Sequence, residues 1–316
     1  MAEENKKNQS QKEKIAAVVV TYNRKDLLKE CLDALLNQTR PLDSIILIDN
    51  ASTDGTPEFL KEKGYLDNPK IDYVRLPENT GGAGGFHEGV KRGYEKGYDW
   101  LWLMDDDALP EKSSLNNLLD AKETFFKNNE KIGIIGSVAM KKNNYSSLSW
   151  ILSFNGYYYK TIFDLSDITQ VGSLPFLGVL ISKSLINKIG YPEKDYFLWF
   201  DDVEYCYRAK KNGEKIFVVK NSIVYHPISS ETKEVKLPFN KKIFVKPSSS
   251  PPWKDYYDIR NNIFFIKKYK FGIKKYLSLL FLILFSLIKR DQKIKRVKYY
   301  IKGIIDGFLN RGGKRV

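Results

Sequence analysis

The feature that most constrains this chain is a run of short, β-branched-rich apolar stretches separated by helical patterns, each ending in polar or acidic residues. Residues 15–21 (IAAVVVT) are the β-branched-rich case, 44–48 (SIILI) and 100–104 (WLWLM) are further apolar runs, and 72–76 (DYVRL) reads as a strand between them. Continuous apolar runs of this length suit strands buried on both faces. Between the first two, residues 25–38 place Leu27, Leu28, Cys31, Leu32 and Leu35 on one helical face. Residues 52–56 (STDGT) carry turn chemistry and lead into a second helix. A glycine-rich stretch at 81–85 opens a third, running to residue 96. Strand and helix in alternation mean βαβ units and a mostly parallel sheet with helices on its faces, an α/β fold of Rossmann-like type. Further strands are expected at 133–138 and 216–219, and helices from residue 256 onward.

Open sheets of this kind bind ligands at the carboxyl ends of their strands. Asp49 ends the second apolar run, and Asp105, Asp106 and Asp107 end the fourth. Such carboxylates are hard oxygen donors for a divalent cation. Strand alternation would point Asp105 and Asp107 to one site. Asp201 and Asp202 lie among aromatics in WFDDVEY (199–205). An apolar setting raises a carboxylate's pKa and makes it a better base, although either acid could also cap a helix. His226, one of two histidines, follows the last expected strand and is a candidate metal ligand. The glycine run permits close backbone approach to a ligand, but its spacing matches neither a P-loop nor a dinucleotide fingerprint.

The net charge of +14 is unevenly placed. Residues 267–316 hold fifteen Lys/Arg against two Asp/Glu, while the remainder is close to neutral. A basic tail of this kind meets an anionic membrane or nucleic acid, or is a solvated helix face. Within it, residues 277–288 (LSLLFLILFSLI) would make a helix of roughly 18 Å, short of the ~30 Å hydrocarbon core. An interfacial helix or one buried against protein, including a second copy of the chain, fits better than a span. Cys31 and Cys206 show no disulfide or zinc spacing, consistent with a reducing compartment. Residues 1–14 read as a disordered arm without signal-peptide or anchor character, 15–235 as the main domain, and 236–255, rich in Pro and Ser, as a linker or lid.

Taken together, VVVTYNRKDLL (18–28), IDNASTDGT (48–56), ENTGGAGGFHEG (78–89), WLMDDDALPE (102–111) and WFDDVEYCYRAKKNG (199–213) resemble the inverting family 2 glycosyltransferases of GT-A fold. The glycine-rich stretch with the triple Asp, and YYDIRNNIFF (256–265), look like the galactofuranosyltransferase and rhamnosyltransferase branch, more like the former. The resemblance implies a nucleotide-sugar donor, Mn²⁺ or Mg²⁺ as cofactor, and a glycan acceptor, lipid-linked in cell-surface polysaccharide assembly. It would put Thr21 and Asp49 on the uridine with Arg75 beside it, and Asp105 near the ribose and metal, with Asp106 on the donor side. Asp107 and His226 would ligate the metal. Asp202 would be the general base, and Asp201 would orient the acceptor or sugar, with Trp199 on the acceptor. Arg260 and Asn261 would lie near the diphosphate or acceptor. Gly81, Gly82, Gly84, Gly85 and Phe86 would line the sugar pocket. The expected place of work is the inner face of the cell membrane, held there peripherally. dTDP-rhamnose is the alternative donor. A nucleic-acid-binding protein using the basic tail is the reading from another class; the convergent acids speak against it.

Overall fold

The computed structural model describes residues 13–127, 132–142, 144–226, 233–236, 242–245, 250–289 and 291–316. The expected arm therefore lies mostly outside the described residues. Glu13 and Lys14 are already fastened: Lys14 N donates to Asp99 Oδ2 at 2.8 Å, and Trp100 Nε1 donates to Glu13 at 3.0 Å.

The first half alternates β1 (Ile15–Thr21), α1 (Lys25–Leu36), β2 (Ser44–Asp49), α2 (Thr56–Glu62), β3 (Ile71–Arg75), α3 (Gly81–Glu95) and β4 (Trp100–Asp105). Strands β3, β2, β1 and β4 lie side by side in parallel. β1, β2 and β4 are buried on both faces, as their unbroken apolar runs require, while β3 at the sheet's edge is only partly buried. Ile15, Ala17 and Val19 pack into one layer, and Ala16, Val18 and Val20 into the other.

The glycines of α3 serve this packing. A Cβ on Gly85, Gly89 or Gly93 would stand 2.4, 2.3 and 2.4 Å from the side chains of Val20, Val18 and Leu101. Only a bare helix face lets α3 lie this close to β1 and β4.

The second half adds β5 (Leu109–Pro110), α4 (Ser114–Lys127), β6 (Ile134–Lys141), β7 (Asn144–Phe154), β8 (Tyr157–Thr161), β9 (Ile168–Gln170), β10 (Val179–Ser182), α5 (Lys183–Ile189), α6 (Asp201–Lys211) and β11 (Ile216–His226). The sheet runs β3-β2-β1-β4-β10-β6-β11-β5, with β10 antiparallel between β4 and β6. The fold is thus a mostly parallel, mixed sheet flanked by helices.

β11 runs well past the expected 216–219. A register shift between Val219 and Ile223 carries the polar Lys220–Asn221–Ser222 break, after which the strand resumes to His226. β5 pairs with that end, Val224 opposite Pro110 and Tyr225 opposite Leu109. This register brings the turn after β4 beside His226.

β12 (Lys233–Lys236) and β13 (Lys242–Val245) pair as a separate antiparallel ladder. The helices α7 (Pro252–Lys268), α8 (Ile273–Lys289) and α9 (Lys293–Phe308) follow. The expected linker 236–255 therefore holds a strand and the first turn of a helix; its residues 237–241 and 246–249 lie outside the described residues.

The C-terminal segment is built into the molecule. Arg296 Nη1 meets Asp255 Oδ2 at 2.6 Å with both residues buried, and Tyr256 donates to Asp306 at 2.7 Å. Gly303 lies against the Tyr256 carbonyl, where a Cβ would approach to 2.7 Å. Among the described residues no helix is long and apolar enough to cross a membrane.

Candidate active site

The carboxyl ends of β1, β2 and β4 form one edge of the sheet, and the polar residues that terminate them gather there. Thr21, the last residue of β1, is buried and donates through Oγ1 to Asp106 Oδ2 at 2.8 Å. Asp49 is fully buried at the end of β2. Its Oδ1 accepts from Ser52 N at 2.8 Å and its Oδ2 from the Tyr73 hydroxyl at 2.7 Å. Arg75, at the end of β3, has Nε 3.8 Å from Asp49 Oδ2 and donates to the Ser52 carbonyl at 2.9 Å, with half its side chain exposed.

The triple acid is arranged differently from strict alternation. β4 ends at Asp105, and Ala108 N donates back to the Asp105 carbonyl at 3.2 Å, closing a turn. The side-chain period of 2 therefore stops at Asp105. Asp106 and Asp107 both face Arg24, whose Nη1 lies 3.4 Å from Asp106 Oδ1 and 2.8 Å from Asp107 Oδ2. Arg24, just beyond β1, has no signature in the sequence beyond its place at a strand's carboxyl edge. Burial pushes Asp106 up to about 6, with Arg24 and the Thr21 hydroxyl acting against it. Burial also acts upward on Asp107, but the His226 ring and Arg24 outweigh it and hold that carboxyl below its ordinary range.

His226 Nε2 lies 3.1 Å from Asp107 Oδ1. Its ring packs edge-on against Trp150 at 4.9 Å, a contact β7 provides and the sequence did not signal. Asp107 Oδ1 is buried and accepts no hydrogen bond of good geometry. A buried anionic oxygen facing an imidazole nitrogen is a donor pair that suits a divalent cation. Among the described residues no three His, Cys, Asp or Glu side chains converge into a metal cluster. Within the expected trio, the contact observed is that between Asp107 and His226. Asp105 ends β4 with Asp107 on the turn beyond, and among the charges acting on Asp105 that of Asp107 is the largest. The remaining positions would fall to ligand phosphates and water, as is usual for Mg²⁺.

Asp201 and Asp202 open α6 on the same edge. Burial, then the charges of Asp107, Asp106 and Asp201, push Asp105 well above the carboxylate range, so the two acidic stretches share one electrostatic field. Burial likewise raises Asp201, further lifted by Asp202, and raises Asp202 to about 6. Trp199, expected at the acceptor, stands two residues before Asp201 and has the ammonium of Lys254 over its ring at 5.6 Å.

Several expected ligand contacts are replaced by internal ones. A Cβ on Gly81 would stand 1.9 Å from the Phe197 carbonyl oxygen, and on Gly84 2.3 Å from the Thr80 hydroxyl. Gly85 packs on Val20, and Phe86 is buried with its ring 4.9 Å from Phe176. Of the run only Gly82 faces open space. These residues do not line a sugar pocket as a set, because their close approach is to protein. Arg260 and Asn261 are fully buried and donate to the backbone carbonyls of Asp195, Tyr196, Leu198, Trp199 and Gly313. They are not placed for a diphosphate.

An α/β sheet with acids gathered at its carboxyl edge is the architecture of the GT-A glycosyltransferases. Among solved structures, the mannosyltransferase PcManGT from Pyrobaculum calidifontis in complex with GDP-Man and Mn²⁺ superposes with a TM-score of 0.57 at 14% identity, over 96% of this chain and 89% of that one. S. aureus TarS 1–349 in complex with UDP gives 0.52 at 15% identity, over 94% and 72%. The sequence model of glycosyl transferase family 2 matches residues 16–190, more than half the chain. The chain belongs to that family and is a glycosyltransferase. Galactofuranosyltransferase GlfT1 of Mycolicibacterium smegmatis is 27% identical over 69% of this chain and 72% of its own length. The dTDP-rhamnosyl transferase RfbF of Shigella flexneri is 25% identical over 95% and 98%.

Proposed function

We propose that this glycosyltransferase moves galactofuranose from UDP-galactofuranose to a hydroxyl of a glycan acceptor with inversion. The observation that carries the reading is the meeting of Asp107, on the turn after β4, and His226, at the end of β11, at 3.1 Å, with Asp201 near enough for its charge to act on Asp105. Thr21, Asp49 and Arg75 mark the nucleotide side of the edge. Asp202 accepts the acceptor's hydroxyl proton. The freed oxygen forms the new bond to the anomeric carbon, and the bond from that carbon to the diphosphate oxygen breaks with its electron pair leaving on UDP. Asp201, kept protonated by burial, donates a hydrogen bond that orients the acceptor or sugar. A divalent cation held by Asp107 and His226 would supply charge neutralisation for the departing diphosphate. Charge stabilisation of this kind is usually the largest catalytic contribution.

The sugar assignment draws on the GlfT1 likeness. The RfbF likeness covers nearly the whole of both chains and favours dTDP-rhamnose as the second reading. A donor panel of UDP-galactofuranose, UDP-galactopyranose and dTDP-rhamnose, scored by nucleoside diphosphate release, separates the two. Release from dTDP-rhamnose alone would overturn the first.

We also propose an acceptor side that works at an anionic membrane surface. Leu277, Leu280, Phe281, Leu284 and Ile288 form an exposed stripe on α8 at helical spacing, and Ile294, Val297, Ile301, Ile305 and Phe308 form another on α9. Leu279 and Ile283 face inward instead. Apolar stripes within a strongly basic segment suit an interfacial helix pair. Because α7 and α9 brace the site, the test uses substitution: Leu280→Ser with Leu284→Ser should lose flotation with phosphatidylserine vesicles and keep UDP release to a water-soluble acceptor. Undiminished flotation would refute the membrane assignment.

A further inference from the structure

We infer that Arg260 and Asn261 are positioning residues for the transfer step, holding a left-handed aromatic segment that presents Asp201 and Asp202. The inference rests on the reading of Asp202 as the base.

Phe197, Trp199 and Phe200 have φ of 60°, 64° and 74°. Each carries a Cβ clash that glycine would avoid. Bulky L residues persist in this region only when their surroundings over-determine them. Phe200 is the residue directly before α6, so its conformation sets the direction in which Asp201 and Asp202 leave the loop.

The surroundings here are two side chains of α7. Asn261 Nδ2 donates to the carbonyls of Tyr196, Leu198 and Trp199 at 3.0, 2.8 and 3.1 Å. Arg260 Nη2 donates to the carbonyls of Asp195 and Tyr196 at 3.0 and 2.8 Å, and Nη1 to that of Gly313 at 2.6 Å. Arg260 Nε donates to Asn261 Oδ1 at 3.0 Å. A guanidinium has no acceptor, so that bond also fixes which end of the amide faces the loop. The Arg260 guanidinium lies over the rings of Tyr256, Tyr257 and Phe264 at 5.3, 4.9 and 5.3 Å. From the opposite side Ala83 N donates to the Phe197 carbonyl at 3.2 Å. The segment is gripped between the start of α3 and α7: these hydrogen bonds all fall on backbone oxygen, and the rings of Phe197 and Phe200 also pack on Tyr257 and Phe265 of α7, at 4.8 and 5.8 Å. That pattern fixes conformation, and none of these hydrogen bonds uses the carboxylates of Asp201 and Asp202.

The test compares Asn261→Asp with wild type, both full length. The carboxylate is isosteric but turns an oxygen toward three carbonyl oxygens. Asn262→Asp is the control, since Asn262 bonds back to its own helix at the Asp258 carbonyl, 2.9 Å. Hydrogen exchange should rise across residues 196–203 in Asn261→Asp and stay unchanged in Asn262→Asp. Turnover should fall on the order of 100-fold, the effect of a small misplacement, with donor KM and calorimetric UDP affinity in Mn²⁺ unchanged. Should Asn261→Asp not fold, Asn261→Ser, which keeps one shorter donor, is put through the same measurements. Unaltered exchange, or altered exchange with undiminished turnover, overturns the inference. So does a loss of UDP affinity in step with turnover, the mark of a diphosphate contact. If wild type turns over none of the donors, the base reading falls while the exchange experiment still decides the clamp.

Discussion

Asp107 Oδ1 and His226 Nε2 face each other at 3.1 Å, while the other oxygen of the same carboxylate, Oδ2, takes Arg24 Nη1 at 2.8 Å. One buried carboxylate thus divides its two oxygens between an imidazole and a guanidinium. The imidazole side offers a cation a nitrogen and an oxygen donor; the guanidinium side already supplies a positive charge. His226 lies beyond the segment matched by the family model, and the pairing of β5 with β11 brings the turn after β4 beside it.

Removal of the metal is the first consequence. Chelation should abolish UDP release, and Mn²⁺ should restore it. His226→Ala and Asp107→Asn should each lower restored turnover on the order of 100-fold, the scale expected for one lost electrostatic stabiliser. Manganese paramagnetic resonance checks the cause, since both variants should leave more Mn²⁺ free at equal total concentration. Full activity in excess chelator would refute the metal assignment.

Arg24 should oppose cation binding before the donor arrives. Its charge stands 2.8 Å from Asp107 Oδ2 with about half its side chain exposed. Arg24→Gln should therefore tighten nucleotide-free Mn²⁺ binding by about 3-fold, the modest scale of a part-exposed pair. A resonance titration reads this directly. Weaker binding in the variant would reverse the sign and defeat the argument.

Asp202→Asn removes the proton acceptor and little else. Turnover should fall by roughly 10² to 10⁴, with UDP affinity kept. In wild type, burial raises Asp202 to about 6. The base must be unprotonated to act, so turnover should decline as pH drops through that value. Comparable turnover in variant and wild type would remove Asp202 from the mechanism.

The parallel half of the sheet is legible in the sequence because its strands are buried on both faces, which leaves unbroken apolar runs at 15–21, 44–48 and 100–104. The acids at their ends are legible for the same reason, since the change from apolar to acidic marks the sheet's edge. The far end of β11 is not, because Lys220, Asn221 and Ser222 interrupt the pattern at the register shift. The glycines of α3 are ambiguous in principle: close approach to a ligand and to a β-sheet ask for the same missing Cβ, and only Val20, Val18 and Leu101 decide it. Arg24 and Trp150 join the site through tertiary register alone. Arg260 and Asn261 look like ligand-binding groups in a sequence, where polar residues within an aromatic helix carry no sign of the carbonyls they meet.

Asp201 gives the last prediction, on stability. It is 6% exposed, and burial, with the charge of Asp202 added, pushes it up to about 8. In the unfolded chain it titrates near 3.9. Between these values the folded protein binds more protons than the unfolded one, so stability falls as pH rises. The contribution is complete below the unfolded value and lost by the time pH passes the folded one. Asp201→Asn stays neutral throughout and escapes the loss. Its thermal midpoint in metal-free buffer should exceed that of wild type at pH 8, by an amount reflecting on the order of 1–3 kcal/mol. The gap should narrow toward pH 5. A variant no more stable than wild type at pH 8 would mean that Asp201 is solvated or paired in the folded protein, and the division of labour between the two acids would have to be abandoned.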